Sequence, residues 1–218
     1  MNIDRRKISE NVELLIGRFS DEEESLLQQF TSLQESLRTE LSLISNNRRR
    51  LEILGEYILL KDYFGVEKKI QHEENGKPYI DDKHLKISIS HSSHDDVIVA
   101  IIIGDANSVG IDIERKRPTL FRVKHKFLSE KEQEWVAQLP TNRQLDALAL
   151  CWCAKETVFK MMPKSLPDFA DEIAVEPFEI SSKGTMEVWA DTKGENRKLM
   201  LEYELTEEFA MTYSVIKN

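Results

Sequence analysis

The chain has 218 residues, 40% of them hydrophobic, and a formal net charge of −9 at pH 7. This length and composition allow one domain or two small lobes with a real core, so we expect a globular protein. The acidic balance argues against a general nucleic-acid binder, because neutralising phosphates requires a basic surface.

Two further features indicate a cytoplasmic protein. Residues 1–7 have no apolar region behind them, and the longest aliphatic run, residues 97–103, is too short to span a bilayer.

Cys151 and Cys153 lie two positions apart in a predicted helix, where their side chains diverge. We therefore expect neither a disulfide nor a zinc site.

The first part of the chain predicts a strand followed by helices. Residues 12–16 are typical of a strand, and Ser20 with Glu23 is typical of a capping box that opens a helix. The apolar residues that recur next at helical spacing are Leu33, Leu37, Leu41 and Ile44. Their period of three to four residues predicts a second helix whose apolar face lies in a core.

A third helix is predicted to begin near Asn46 and to end at Gly65. Arg48, Arg49 and Arg50 fall in its first turn, where the helix dipole disfavours cations. A bound phosphate would explain this conflict, and a solvated surface run is the other interpretation.

Lys77 follows the turn signal Asn75-Gly76 and precedes Pro78, which directs the chain into an extended segment. We expect this lysine to lie at a bend from which it can reach a ligand.

A polar cluster, Ser90-His91-Ser92, ends the next predicted strand. Ile87 and Ile89 are predicted to bury one face of that strand. A lone histidine in such a place is usually structural.

Two strands follow. Residues 97–103 are continuously apolar, as in a central strand, and residues 104–107 resemble a hairpin connection into residues 109–114. We expect these two strands to be antiparallel neighbours. Alternation places Asp112 and Glu114 on one side of the second strand and residues 109, 111 and 113 in a core.

Paired carboxylates on a core strand are costly to desolvate, and a hard divalent cation would compensate that cost. Glu156, on a later helix, is the candidate third ligand. The other interpretation places Asp112 and Glu114 on the solvated face of an edge strand.

Two helices are predicted beyond this strand. Ser129 and Glu132 form a second capping box, and Pro140-Thr141 ends that helix and caps the next, residues 142–162. Helical spacing places Trp152, Glu156, Phe159 and Lys160 on one stripe. An ordinary surface ion pair between Glu156 and Lys160 is the alternative.

The last quarter predicts an antiparallel meander without chemistry. Its apolar segments are residues 178–180, 186–189, 199–205 and 210–216, with turns at 183–184 and 193–194.

Four blocks in this order resemble the signature of the 4′-phosphopantetheinyl transferase superfamily and cover residues 76–160. They are Gly76-Lys77-Pro78-Tyr79, Ile87-Ser88-Ile89-Ser90-His91-Ser92, Gly110-Ile111-Asp112-Ile113-Glu114, and the run from Trp152 to Lys160. Cys153 stands where the family commonly has serine, and the first seventy residues carry no firm motif.

The resemblance implies the two-lobed, surfactin-synthetase-activator-like type. The expected fold is α+β, with two pseudo-symmetric lobes, each a small antiparallel sheet packed on a long helix. We place the lobes at residues 1–104 and 105–218, with the active site between them.

The resemblance also implies the reaction, which moves the phosphopantetheine arm of coenzyme A to a serine of an apo acyl or peptidyl carrier protein. Mg²⁺, or Mn²⁺, would be held by Asp112, Glu114 and Glu156. Glu156 would be the base, directly or through a metal-bound water, and Lys160 would neutralise the pyrophosphate. The implied coenzyme A contacts are Lys77, Ser90, His91 and Lys160, with Arg48, Arg49 or Arg50 on the 3′-phosphate. We expect a monomer.

The resemblance implies a carrier that is acidic around its modified serine, so carrier docking is expected at a basic run that begins one residue after Glu114. The cations of the run are Arg115, Lys116, Arg117, Arg122, Lys124, His125 and Lys126, with no acid before Glu130. A solvated cationic loop is the alternative.

Two rival functions remain. A metal-dependent nucleotide phosphodiesterase would use the same carboxylates but leaves the blocks around Lys77 and His91 without a role. A non-catalytic coenzyme A-binding relative would retain the cofactor without transfer, yet Lys160 and every other motif position are occupied.

Overall fold

The computed structural model describes residues 3–20, 22–82, 84–162, 168–192 and 195–217. They divide into two compact units. The first unit comprises Met1–Asn107 with Lys217–Asn218, and the second comprises Ser108–Ile216. Each combines an antiparallel sheet with helices, which confirms the predicted α+β class.

The first unit is built on a sheet in the order β1-β2-β6-β5. Its elements are β1 (Ile3–Ser9), β2 (Val12–Phe19), α1 (Glu23–Leu27), α2 (Gln34–Ser42), α3 (Asn47–Phe64), β3 (Gln71–His72), β4 (Pro78–Tyr79), β5 (Leu85–Ser93) and β6 (Val97–Asp105). The strands of this sheet run antiparallel to their neighbours, and β3 pairs with β4 in a separate ribbon.

Helix α3 begins and ends as predicted. The side chain of Asn46 accepts hydrogen bonds from the backbone N–H groups of Arg48 and Arg49, and Gly65 adopts a left-handed conformation with φ of 70°. Leu54 and the other apolar residues on its face of α3 are buried in one hydrophobic core together with side chains of the sheet. This packing fixes the position of the helix over β5 and β6.

The second unit is built on a sheet in the order β7-β11-β10-β9-β8. Its elements are β7 (Ser108–Arg115), α4 (Thr119–Val123), a 3₁₀ turn (Lys124–Lys126), α5 (Glu130–Gln138), α6 (Thr141–Met161), β8 (Ile173–Val175), β9 (Lys183–Thr192), β10 (Glu195–Leu205) and β11 (Phe209–Ile216). The hydrophobic core of the unit includes Leu148 and Leu150 of α6 together with Val188 of β9 and Leu201 of β10. No helix in the described ranges is long and apolar enough to cross a bilayer.

The predicted pairing of residues 97–103 with 109–114 is wrong. Both edges of β6 are taken, by β2 and by β5, and β7 pairs instead with β11. A short connection between two strands therefore did not make a hairpin here.

Two predictions in the meander are also wrong. Residues 178–180 form no strand, because side chains bind their backbone: Tyr203 donates its hydroxyl to the carbonyl of Glu179, and Arg143 donates to that of Ile180. Lys183 and Gly184 lie inside β9 instead of forming a turn. The turn predicted at 193–194 lies outside the described residues.

One of the two predicted capping boxes is confirmed. Ser129 and Glu132 form the capping box of α5. In contrast, α1 begins after Glu22 without a side-chain cap, so the box assigned to Ser20 and Glu23 is wrong. Thr141 is the first residue of α6 and does not cap it.

Candidate active site

The predicted metal-binding carboxylates lie on β7 and α6 of the second unit. β7 carries Asp112 and Glu114, and α6 carries Glu156. The helix approaches the strand closely because Gly110 has no side chain: a Cβ there would lie 2.6 Å from the carbonyl oxygen of Thr157. Since alternate residues of a strand share a face, the face that carries Asp112 is turned towards α6.

The solvated-edge interpretation is wrong for Asp112. β7 is the terminal strand of the described sheet, yet Asp112 is only 6% exposed. Glu114, nearer the end of the strand, is partly exposed. The strand therefore holds one carboxylate in the interior and the next near the surface.

Buried polar contacts fix the rotation of α6 about its axis. The hydroxyl of Thr157 donates to the backbone carbonyl of Thr212 at 3.1 Å. On another side of the helix, the fully buried ammonium of Lys155 donates to Glu132 and to the carbonyl of Phe169, both at 2.7 Å. These anchors flank position 156 and so determine the direction of its carboxylate.

Lys160 connects the two elements. Its Nζ donates to Asp112 Oδ1 at 2.8 Å and to the carbonyl of Ile111 at 3.0 Å. The lysine thus pairs with the strand carboxylate, whereas the alternative interpretation had it pairing with Glu156 along the helix.

The charges of Asp112 and Glu114 act on two side chains of α6, Glu156 and Cys153. The pKa of Glu156 is raised to about 7 by burial first and then by the charges of Asp112 and Glu114, while Lys160 opposes the rise. Burial, followed by the same two carboxylates, also raises the pKa of the Cys153 thiol well above its usual value. A negative charge on Glu156 is therefore disfavoured beside Asp112 and Glu114.

The chemistry of these donors fits a hard divalent cation, which prefers carboxylate oxygens and would offset the excess negative charge. In the arrangement described, Asp112 Oδ1 is bound by Lys160, and no three His, Cys, Asp or Glu side chains of the described ranges form a metal-binding group. Asp112, Glu114 and Glu156 remain the predicted ligands.

Lys77 lies in the turn between β3 and β4, where the sequence predicted a bend. Gly76 adopts a φ of 85°, and the side chain of Asn75 accepts a hydrogen bond from the backbone N–H of Lys77. The half-buried Lys77 is followed directly by the extended residues Pro78 and Tyr79 of β4.

The three arginines at the start of α3 have different surroundings. Arg50 donates to Glu23 at 2.5 Å and to the carbonyl of Ile44 at 2.6 Å. Arg48 is exposed, and its side chain has no ion-pair or hydrogen-bond partner among the residues described. Arg49 reaches across to β5, where its Nη1 lies 3.1 Å from His91 Nε2.

Ser90 and His91 point to opposite faces of β5. Ser90 is 4% exposed, whereas the half-buried His91 faces α3 and contacts Glu56 at 3.1 Å and Glu52 at 3.7 Å. Sequence reasoning missed both glutamates. Their spacing from Arg49, three and seven positions along one helix, is the signal that would have placed them on its face.

Aromatic rings lie along the half-buried stripe of α6. Phe169 stacks on Trp152 with ring centroids 5.9 Å apart and lies 5.6 Å from Phe159. Residues 166 and 167, which precede it, lie outside the described residues.

Comparison with known proteins gives one family. The model of the 4′-phosphopantetheinyl transferase superfamily matches residues 108–214. The 4′-phosphopantetheinyl transferase ffp of Bacillus subtilis is 27% identical over 176 residues, 79% of this chain and 73% of that protein. The enzyme Sfp of B. subtilis strain 168 is 28% identical over 174 residues, with the same two shares. The 4′-phosphopantetheinyl transferase gsp of Aneurinibacillus migulanus is 31% identical over 122 residues, 52% of this chain and 48% of that protein.

Proposed function

The chain belongs to the 4′-phosphopantetheinyl transferase superfamily, and on that premise we propose that it modifies a serine of an apo carrier protein with the phosphopantetheine arm of coenzyme A. The serine oxygen forms a bond to the phosphorus that bears pantetheine. The bond between that same phosphorus and the bridging oxygen of the pyrophosphate breaks, and 3′,5′-ADP leaves with the bridging oxygen.

Glu156 is the proposed base for the serine proton. Its carboxylate comes from α6, whereas the other two carboxylates of the site, Asp112 and Glu114, come from β7. Lys160, 2.8 Å from Asp112, is proposed to neutralise charge on the pyrophosphate.

Asp112, Glu114 and Glu156 are the proposed ligands of Mg²⁺, with Mn²⁺ as the alternative. When bound, the cation would supply a Lewis acid for the pyrophosphate.

Residues of the first unit are the proposed coenzyme A contacts. Lys77 lies in its turn, and Arg49 shares its surroundings with His91, so these side chains are proposed to bind phosphates of the cofactor. Ser90, on the opposite face of β5 from His91, is proposed as a separate contact.

The observation that carries the proposal is the meeting of β7 and α6. Lys160 of α6 pairs with Asp112 of β7, and the charges of Asp112 and Glu114 raise the pKa of Glu156. An ion pair with a purely structural role would need only Lys160 and Asp112, without Glu114 and Glu156 nearby.

The test is to incubate the protein with coenzyme A, Mg²⁺ and a set of apo carrier proteins of fatty-acid, polyketide and peptide synthesis. We expect mass spectrometry to show addition of one phosphopantetheine group to at least one carrier, and no addition when its acceptor serine is replaced by alanine. EDTA should stop the reaction.

The rival functions give different results in the same mixtures. A phosphodiesterase would cleave coenzyme A without a carrier, and the split nucleotide would be detected by chromatography. A non-catalytic relative would bind coenzyme A in a calorimetric titration and leave every carrier unmodified.

A further inference from the structure

A cluster of charged side chains joins α3 to β5 in the first unit. It consists of Arg49, Glu52 and Glu56 of α3 and His91 of β5. Arg49 Nη1 lies 3.1 Å from Glu52, 3.3 Å from Glu56 and 3.1 Å from the imidazole of His91. His91 Nε2 is itself 3.1 Å from Glu56, so the cation, the imidazole and this carboxylate form a closed triangle.

Glu56 is the buried member of the cluster. It is 4% exposed, and among the described residues its carboxylate contacts only Arg49 and His91. A carboxylate held away from water is costly unless cations and hydrogen-bond donors compensate it. Its contacts therefore tie Arg49 and His91 to one point on α3.

Glu52 supports the same arrangement nearer the surface. It contacts Arg49 at 3.1 Å, lies 3.7 Å from His91 Nδ1 and accepts a hydrogen bond from Ser93 at 2.5 Å. The helix and the strand are thus joined twice around the His91 ring.

One nitrogen of the Arg49 guanidinium makes the contacts within the cluster, and the other two are available to a ligand. All three of its side-chain contacts use Nη1, while its side chain is 41% exposed and that of His91 is 28% exposed. A guanidinium has donors on three nitrogens, so Nε and Nη2 remain for an incoming anion.

We propose that Glu56, assisted by Glu52, is a positioning residue that holds Arg49 and His91 as the pair binding a phosphate of coenzyme A. The proposal rests on the proposed function. Of the three arginines at the start of α3 it assigns this role to Arg49, because Arg50 is bound by Glu23 and only Arg49 contacts His91.

Two effects predict opposite changes in the affinity for coenzyme A when Glu56 is replaced by glutamine. Electrostatics alone predicts tighter binding of an anion, because a nearby negative charge is removed. Positioning predicts weaker binding, because Arg49 and His91 lose the charged acceptor that fixes them. The direction of the change decides between them.

The experiment measures the affinities of wild type and Glu56→Gln for coenzyme A and for dephospho-coenzyme A by calorimetry. We expect coenzyme A binding to weaken about tenfold, the scale of a lost hydrogen bond to a charged group. If the bound phosphate is the 3′-phosphate, which does not react, turnover at saturating coenzyme A should stay within about twofold, since such a contact binds ground and transition states alike.

Dephospho-coenzyme A identifies the phosphate. If the pair binds the 3′-phosphate, Glu56→Gln should change the affinity for this ligand little. An equal loss for both ligands would place the pair on the pyrophosphate. Either result supports positioning.

Glu23→Gln is the matched control, because Glu23 is the acidic partner of Arg50 as Glu56 is of Arg49. It should leave both affinities unchanged. Thermal unfolding of each variant reports its folding, and Glu52→Gln, at a less buried site, takes the place of Glu56→Gln if that variant does not fold.

Unchanged or tighter coenzyme A binding in a folded Glu56→Gln or Glu52→Gln protein would overturn the proposal. That result is distinct from failure of the proposed function, which appears in the wild type as an absence of transfer to any carrier.

Discussion

The carboxyl group of Glu156 links the pH to the stability of the second unit. Its pKa is raised from 4.5 to about 7, first by burial and then by Asp112 and Glu114. The folded state therefore favours the protonated form. The resulting stabilisation is complete below about pH 4.5 and is lost as the pH rises through about 7.

We predict that Glu156→Gln removes this dependence, because glutamine resembles the protonated acid at every pH. In EDTA at pH 8, the free energy of unfolding of the variant should exceed that of the wild type by about 1 to 3 kcal/mol, and the gap should close towards pH 5. Denaturant titrations at both pH values measure it. Glu176→Gln, an exposed site in the same unit, should keep the wild-type slope.

Addition of Mg²⁺ at pH 8 extends this test to the proposed metal site. The ion should stabilise the wild type more than Glu156→Gln, since it binds the ionised carboxylate. Equal stabilisation of both proteins would remove Glu156 from the ligand set.

The parts of the site that follow local periods could be predicted from the sequence. Asp112 and Glu114 share a face because a strand alternates, and Glu156 and Lys160 share a stripe because a helix repeats every three to four residues. The contact between Lys160 and Asp112 depends on how two distant elements pack, as does that of Glu56 with His91. Nothing in either segment alone fixes such pairs.

At the scale of elements, Glu67 ties the end of α3 to the start of α2. Its carboxylate accepts backbone hydrogen bonds from Thr31, Ser32 and Leu33 at 2.7 to 2.8 Å, and Lys61 lies 3.1 Å away. Desolvation opposes ionisation, but these donors hold the pKa of Glu67 well below its usual value. The side chain thus holds the backbone segment that leads into α2 from a position remote in the sequence.

We predict that Glu67→Gln destabilises the protein by about 1 to 3 kcal/mol at pH 7, because the backbone N–H groups of residues 31–33 lose a charged acceptor. Because the folded pKa is depressed, this stabilisation is present above about pH 4.5 and is lost as the pH falls further. Unfolding curves of wild type and variant should therefore approach each other in acid. Glu74→Gln, at an exposed position in the following loop, is the control, and an equal effect in it would refute this stabilising role of Glu67.

The sequence predicted elements with strong local signals and missed those that depend on pairing. Helix α3 has an asparagine cap and a terminal glycine, and β6 is continuously apolar, so both were predicted. β1 has a charged sequence and is a strand because it pairs with β2. β7 pairs with β11, a partner at the far end of the chain, which the short connection after β6 concealed.

At the scale of the whole molecule, the net charge of −9 requires that an acidic carrier be attracted locally. Two cations of the predicted basic run pair with acidic residues of the protein itself. Arg115 is 8% exposed and pairs with Glu208, and Lys116 pairs with Asp146 at 3.0 Å. Arg117 lies 3.9 Å from Glu114. The other cations of the run lie on α4 and the 3₁₀ turn and are Arg122, Lys124, His125 and Lys126.

This remaining surface, α4 with the 3₁₀ turn, combines charge with apolar side chains. Phe121 and Val123 are 38% and 36% exposed. Exposed apolar residues beside a set of cations are typical of a surface that first attracts and then packs against an acidic partner helix. A solvated loop would need only the cations.

We predict that the double substitution Lys124→Glu, Lys126→Glu slows association with the carrier and flattens its dependence on salt, because rim charges act mainly on the encounter. Stopped-flow binding at low and high ionic strength measures both effects, and coenzyme A affinity should not change. Lys68→Glu with Lys69→Glu alters the net charge equally at exposed sites in the first unit and should have a smaller effect. Wild-type carrier kinetics at low ionic strength in the Lys124, Lys126 variant would show that the acceptor binds elsewhere.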